Sequence, residues 1–185
     1  TITIDWQTPT VMTLGKSLLE GCESAEGRVR ALFEYVRDEI DHSFDVPADI
    51  ATGSASEVLR EGTGLCYAKS HLLAGLLRFA GFPTGFCYAR LANADRPGKF
   101  VLHGFNAIYW GPSEAWIFVD PRGDREGIHS EVRFAAPFSL AYAPDPEQGE
   151  SFLPLVDRRP GKRIIDLLER APDFAAVRRN LPDQL

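Results

Sequence analysis

Chemistry is most strongly indicated at Cys66. The run Gly62-Thr63-Gly64-Leu65-Cys66-Tyr67-Ala68-Lys69 leads without a break into Leu72, Leu73, Leu76, Leu77 and Ala80, and Gly81 follows. With Leu65 and Ala68, these apolar positions keep the three-and-four spacing of a helix with one buried face. Glycines at 62 and 64 suit a turn that feeds the helix, so Cys66 is expected in its first turn. There, unpaired backbone N–H groups and the positive end of the helix dipole favour an anion. An unperturbed thiol is ionised to only roughly 3% at pH 7, and a helix start with a nearby imidazolium raises that fraction. A free cysteine is more often just a small buried hydrophobe, so a nucleophilic role needs a base and an acid elsewhere in the chain.

Two further stretches supply them. One is Val101-Leu102-His103-Gly104-Phe105-Asn106-Ala107-Ile108-Tyr109-Trp110, and the other is Trp116-Ile117-Phe118-Val119-Asp120-Pro121. With a Gly-x-Cys helix start (Gly64 to Cys66) and a Leu-Leu-Arg-x-x-Gly-Phe-Pro ending (Leu76 to Pro83), the chain resembles the transglutaminase-like superfamily of papain-type cysteine enzymes. The resemblance covers about residues 28 to 123, and the ordered set is far more specific than any one motif. It implies Cys66 as nucleophile, His103 as base and acid, and Asp120 as the group that orients the imidazole and supports its charged form. The implied reaction is acyl transfer from an amide or peptide bond to water or an amine, with no cofactor and no metal. The implied substrate is a protein, a peptide or a small amide. The expected oxyanion donor is the Cys66 N–H, with His42 and Tyr35 as candidates for a second. A different reading follows from Gly104-Phe105-Asn106-Ala107, which stands where the superfamily commonly has a Trp and an acidic residue: an idle binding or scaffolding module that has kept the fold.

The strand spacing tests the pairing of His103 with Asp120 independently. A four-residue loop between Trp110 and Ala115 sets Asp120 opposite Phe105 and diagonal to His103, whereas a two-residue loop sets it directly opposite His103. Either way the two side chains share a face, roughly 5 to 8 Å apart at their β-carbons.

The other candidates are weaker. His71 lies five residues after Cys66, which turns a helix by about 500° and leaves the two side chains about 140° apart, so it is not expected to be the base. His42, in Ile40-Asp41-His42-Ser43-Phe44, is either a solvated loop histidine or a polar group lining the cleft. His129 is expected to be exposed. Cys22 and Cys87 lack a helix start and read as structural. No His-Glu-x-x-His or clustered Cys/His spacing suggests a metal.

These residues require helices first and strands after. Residues 25 to 40 read as a helix capped by Ser24, residues 11 to 20 as a weaker one, and residues 56 to 60 as a helical turn. Strands are expected over residues 84 to 91, 99 to 110 and 115 to 120, with short strands at 131 to 135 and 139 to 142 and a short edge strand or arm at 1 to 6. Two short helices, 163 to 168 and 174 to 181, are interrupted at Pro172 and are expected to cover a sheet face or edge. The order indicates α+β, with N-terminal helices, including the one that starts at Cys66, packed on a mainly antiparallel sheet.

Composition agrees with one domain over residues 1 to 185: 185 residues at 44% hydrophobic content can build a core without disulfides. With 26 acidic and 20 basic residues the net charge is −6, so neither nucleic acid nor an anionic membrane is an expected partner. Three cysteines with no Cys-x-x-Cys, and no basic-then-apolar leader in the first 30 residues, point to a reducing cytoplasm. A leader removed before Thr1 would alter that expectation.

Overall fold

The structure is a computed structural model that describes residues 2–94 and 96–185. Its elements are α1 (Pro9–Leu19), α2 (Ala25–Asp38), β1 (Asp41–His42), α3 (Ala55–Glu61), β2 (Thr63–Gly64), α4 (Cys66–Phe79), β3 (Thr84–Ala92), β4 (Phe100–Trp110), β5 (Ala115–Val119), β6 (Ser151–Phe152), α5 (Lys162–Arg170) and α6 (Phe174–Arg179). The fold is α+β. Four strands form an antiparallel sheet in the order β5-β4-β3-β6, and β1 and β2 form a separate parallel pair.

Local signals account for most boundaries. Ser24 caps α2 by accepting from the Gly27 N–H at 3.0 Å. Ser54 caps α3, and Glu57 reaches back to the Ser54 N–H at 3.0 Å to complete a capping box. Gly62 ends α3 at φ +67°, a left-handed backbone that a residue with a Cβ adopts only at a cost.

Helix α4 is the centre of the core, and here the structure departs from the amphipathic expectation. Every residue from Cys66 to Leu77 is buried, not one stripe alone. It contacts α1, α2 and α3 as well as β3 and β4, so its polar side chains must find partners inside. Lys69 donates to the Ile40 carbonyl and, at 3.2 Å, to that of Arg37. Ser70 donates to the Gly104 carbonyl at 3.3 Å.

Of the two N-terminal expectations the edge strand is corrected: Ile2–Ile4 form a 3-10 turn, with Ile4 buried in the core. Thr1 lies outside the described residues. The short strands expected at 131 to 135 and 139 to 142 reduce to one bridge between Glu131 and Ser139. The strand that does flank β3 is β6, whose Phe152 pairs with Ala89. Helices α5 and α6 bury Ile164, Leu168, Phe174 and Val177 in the main core. Past α6, the Pro182 carbonyl accepts from the Leu102 N–H at 2.8 Å, beyond the stretch of β4 that β5 pairs. Among the described residues no helix is long and apolar enough to cross a membrane.

Candidate active site

The loop at 62–65 and the antiparallel pair β4/β5 bring the three expected residues together. Cys66 is the first residue of α4, after Leu65 as N-cap, so its N–H has no intrahelical acceptor. A Cβ at Gly64 would come within 3.2 Å of the Ala68 Cβ and 3.4 Å of the Thr52 hydroxyl. The chain therefore enters the helix in close contact with both.

Three bonds hold this helix start against the strand that carries His103. Tyr67 donates its hydroxyl proton to the Leu102 carbonyl. Ser70 donates to Gly104, and the Asn106 amide donates to the Ser70 carbonyl at 3.2 Å and the Gly85 carbonyl at 3.3 Å. Gly104 is required by this packing, because a Cβ there would lie 2.8 Å from the Tyr67 ring. The residues that depart from the superfamily pattern thus have structural work in this chain: Tyr67 fills the space beside Gly104, and Asn106 bridges helix and sheet.

The hairpin pairs Trp110 with Ala115 and Asn106 with Val119, the register of the four-residue loop. Asp120 follows directly after β5 and is completely buried. Its Oδ2 lies 2.7 Å from His103 Nε2 and accepts from the Ala141 N–H at 3.0 Å, while its Oδ1 accepts from the Arg122 N–H at 3.2 Å. With Nε2 committed to Asp120, Nδ1 is the ring nitrogen left for Cys66, with which His103 has both hydrogen-bonding and charge contact. Burial pulls the His103 pKa down, but the charges of Asp120 and Cys66 and the hydrogen bonds to both outweigh it, and the net shift is well upward. The charged form of the ring is therefore favoured more than in a free histidine. The Tyr142 ring meets it edge-on at 4.8 Å.

Three further residues complete the site: His42, which the sequence offers as a cleft-lining alternative and a candidate donor, and Arg122 and Tyr142, which it does not mark. His42 is not a solvated loop histidine: it is 6% exposed and lines the same cleft as Cys66 and His103. The parallel pairing sets it beside Gly64. Burial and the nearby Arg122 charge push its pKa well down, so it is neutral. Its Nδ1 accepts from the Phe44 N–H at 3.3 Å, which leaves the proton on Nε2. Arg122 is buried and holds Asp45 through both terminal guanidinium nitrogens, Nη2 at 2.9 Å, while its Nε donates to the Tyr142 hydroxyl at 3.2 Å. No local pattern marks Arg122 or Tyr142, since Asp45 and Tyr142 reach Arg122 from distant parts of the chain. The Ile40-Asp41-His42 segment carried a signal only for His42.

The remaining candidates fall outside the site. His71 is fully buried, its Nδ1 2.7 Å from the Gly53 carbonyl, and burial lowers its pKa to about 4. His129 is exposed and paired with Asp124. Tyr35 is not among the residues lining the cleft. Cys87 is buried, and burial pushes its thiol up to about 12. Among the described residues, no three His, Cys, Asp or Glu side chains form a metal-holding group.

The cleft has a volume of about 650 Å³. A thiol at a helix start, a histidine fixed by a buried carboxylate and a neutral N–H donor all line it. Such a set can attack a carbonyl carbon, move a proton to a leaving nitrogen and stabilise an oxyanion.

Comparison with known proteins matches residues 12–121 to the family described as the transglutaminase-like superfamily. Among solved structures, a "putative cysteine protease" from Cytophaga hutchinsonii aligns with a TM-score of 0.52 at 18% identity, over 66% of this chain and 39% of that one. The periplasmic domain of TgpA from Pseudomonas aeruginosa, bound to ethylmercury, aligns at 0.45 and 21% identity, over 61% and 43%. A structure named only as a TGase aligns at 0.44 and 16%, over 71% and 37%. The chain thus spans about two fifths of the length of these structures. No curated protein matches it.

Proposed function

The chain belongs to the transglutaminase-like superfamily, and from that premise we propose that it is a cysteine-dependent enzyme acting on amide or peptide bonds by acyl transfer. The observation that carries this reading is the bond between Asp120 and His103 at 2.7 Å, in a cleft that Cys66 and His103 both line.

In this reading the Cys66 thiolate attacks the carbonyl carbon and the carbonyl π electrons move to oxygen. The resulting oxyanion is met by the Cys66 N–H and by the His42 Nε2–H, the second donor. His42 suits that role because it is neutral: it donates without competing with His103 for the thiolate. As the tetrahedral intermediate collapses, the C–N bond breaks and His103 gives its Nδ1 proton to the departing nitrogen. The neutral imidazole then takes a proton from water or an amine, which attacks the thioester, and the acyl group leaves as an acid or a new amide. Asp120 remains ionised throughout and fixes the ring. The same cycle yields an amidase, a peptidase or a transamidase, according to the acceptor.

The test is to incubate the protein with casein and a fluorescent primary amine, and to follow amine incorporation, ammonia release and peptide cleavage against Cys66→Ser. Trapping an acyl-Cys66 adduct by mass spectrometry is the expected result. A wild type indistinguishable from Cys66→Ser, with no adduct, would support the idle binding module.

A further inference from the structure

The chain is acidic, with a net charge of −6, but its cleft is not. The cleft is lined by Arg96, Arg122, Arg125, Arg178 and Arg179 and, among the described residues, by no Asp or Glu. These arginines come from three separate segments: the turn between β3 and β4, the loop after β5, and the end of α6. Asp45 accepts from both Arg122 and, at 3.3 Å, Arg125, so one carboxylate stands against two guanidiniums. Arg96 donates to the Arg179 carbonyl at 3.4 Å, which ties the turn to the end of α6, and Arg178 lies over the Phe44 ring at 5.5 Å. Arg96, Arg125 and Arg179 are exposed at the surface.

The C-terminal dipole of α6 accounts for cations at 178 and 179, but not for Arg96 and Arg125. Gathering like charges in a concave site costs repulsion, and a low-dielectric wall of Leu65, Leu91, Val101 and Leu102 strengthens their field toward anything that enters. Guanidinium groups pair with carboxylates in two-bonded geometry. A long polyanion such as nucleic acid would meet the acidic remainder of the surface, whereas a short carboxylate-bearing chain would not.

Building on the acyl-transfer reading of this cleft, we propose that the acyl donor is acidic: a peptide or amide with carboxylates flanking the scissile bond. Arg96, Arg125 and Arg179 take those carboxylates while Cys66 takes the carbonyl.

The test alkylates Cys66 near pH 6 with anionic iodoacetate and, separately, with neutral iodoacetamide. The ratio of the two rates is compared with the ratio for the same peptide in the denatured chain. The folded ratio is expected to be higher by roughly tenfold and to fall severalfold in about 1 M salt. It should also fall in the double variant Arg125→Gln, Arg179→Gln. Because His103 is the same in both folded proteins, the loss in the variant belongs to the arginines. A blocked Glu-Glu-Gln-Glu-Glu peptide should protect Cys66 from iodoacetamide where Lys-Lys-Gln-Lys-Lys does not. A folded ratio equal to the denatured one, or one that neither salt nor the variant lowers, overturns the acidic donor. Fast labelling by iodoacetamide would then leave acyl transfer standing. Slow labelling of Cys66 by both reagents would overturn the two together.

Discussion

His103 and the backbone N–H of Ala141 donate to the same oxygen of Asp120, at 2.7 and 3.0 Å, while its other oxygen accepts from the Arg122 N–H. The carboxylate therefore serves the loop and the histidine at once. No rotamer of an amide can do both, because one of its two ends is a donor and would face a donor. Asp120→Asn should lower both the melting temperature and the rate of Cys66 alkylation near pH 6. A residue used only to close the turn would lower the first and leave the second, so measuring both on one preparation separates the roles.

Cys66 should be alkylated by iodoacetamide near pH 6 far faster than Cys22 or Cys87, as read by peptide mass mapping after brief exposure. Cys87 is the internal control, since burial pushes its thiol up to about 12. His103→Ala should remove the fast reaction, and His71→Ala should not slow it. Equal labelling of all three thiols would count against an activated nucleophile.

His42→Phe should slow acylation by an activated ester by about 10²-fold, the usual cost of losing one oxyanion donor. Alkylation builds no oxyanion and should change far less. Stopped-flow release of nitrophenolate from p-nitrophenyl acetate measures the first, and iodoacetamide labelling the second. Parallel losses in both would reduce His42 to a packing role.

Acid should destabilise the fold between about pH 6.5 and 4, and His71 should be a main cause. Its folded pKa of about 4 lies below the ordinary value of 6.5, so over this window the unfolded chain binds the proton that the folded chain refuses, and stability falls as pH falls. The full effect is about 3 kcal/mol. His103 has the opposite sign: its raised pKa contributes stability that is complete below the unfolded value and is lost as pH rises through the folded one. Urea titrations across pH should show His71→Asn with a flatter acid limb, though with lower stability at neutral pH, because its bond to the Gly53 carbonyl changes.

Much of this arrangement was legible in the residues, for physical reasons that differ by element. Helix α4 and the strands β3 to β5 announce themselves by period, and the parity of a hairpin is enough to put His103 and Asp120 on one face whichever loop forms. The buried polar side of α4 was not legible, because hydrophobic spacing alone does not reveal that Lys69 and Ser70 have carbonyls waiting on other segments. Arg122 resembles any loop arginine until Asp45 and Tyr142 are brought to it. The two-residue strands β1 and β2 are too short for any periodic signal, so the sequence leaves His42 between a solvated loop and the cleft.

That short parallel pair determines where the chain can change length. Its bonds, Asp41 N–H to Gly62 O at 2.9 Å and Ser43 N–H to Gly64 O at 3.2 Å, close residues 43 to 62 into a loop whose ends are held at the cleft. Residues added near 46–50 would enlarge the loop without altering the spacing between His42 and Cys66, at a closure cost that grows only slowly with length. One residue added between Gly64 and Cys66 would instead shift the helix against its anchor and swing the thiol about 100° around the axis, away from His103. The segment before the nucleophile works as a ruler of fixed length, while the stretch near 46–50 can change length without moving it.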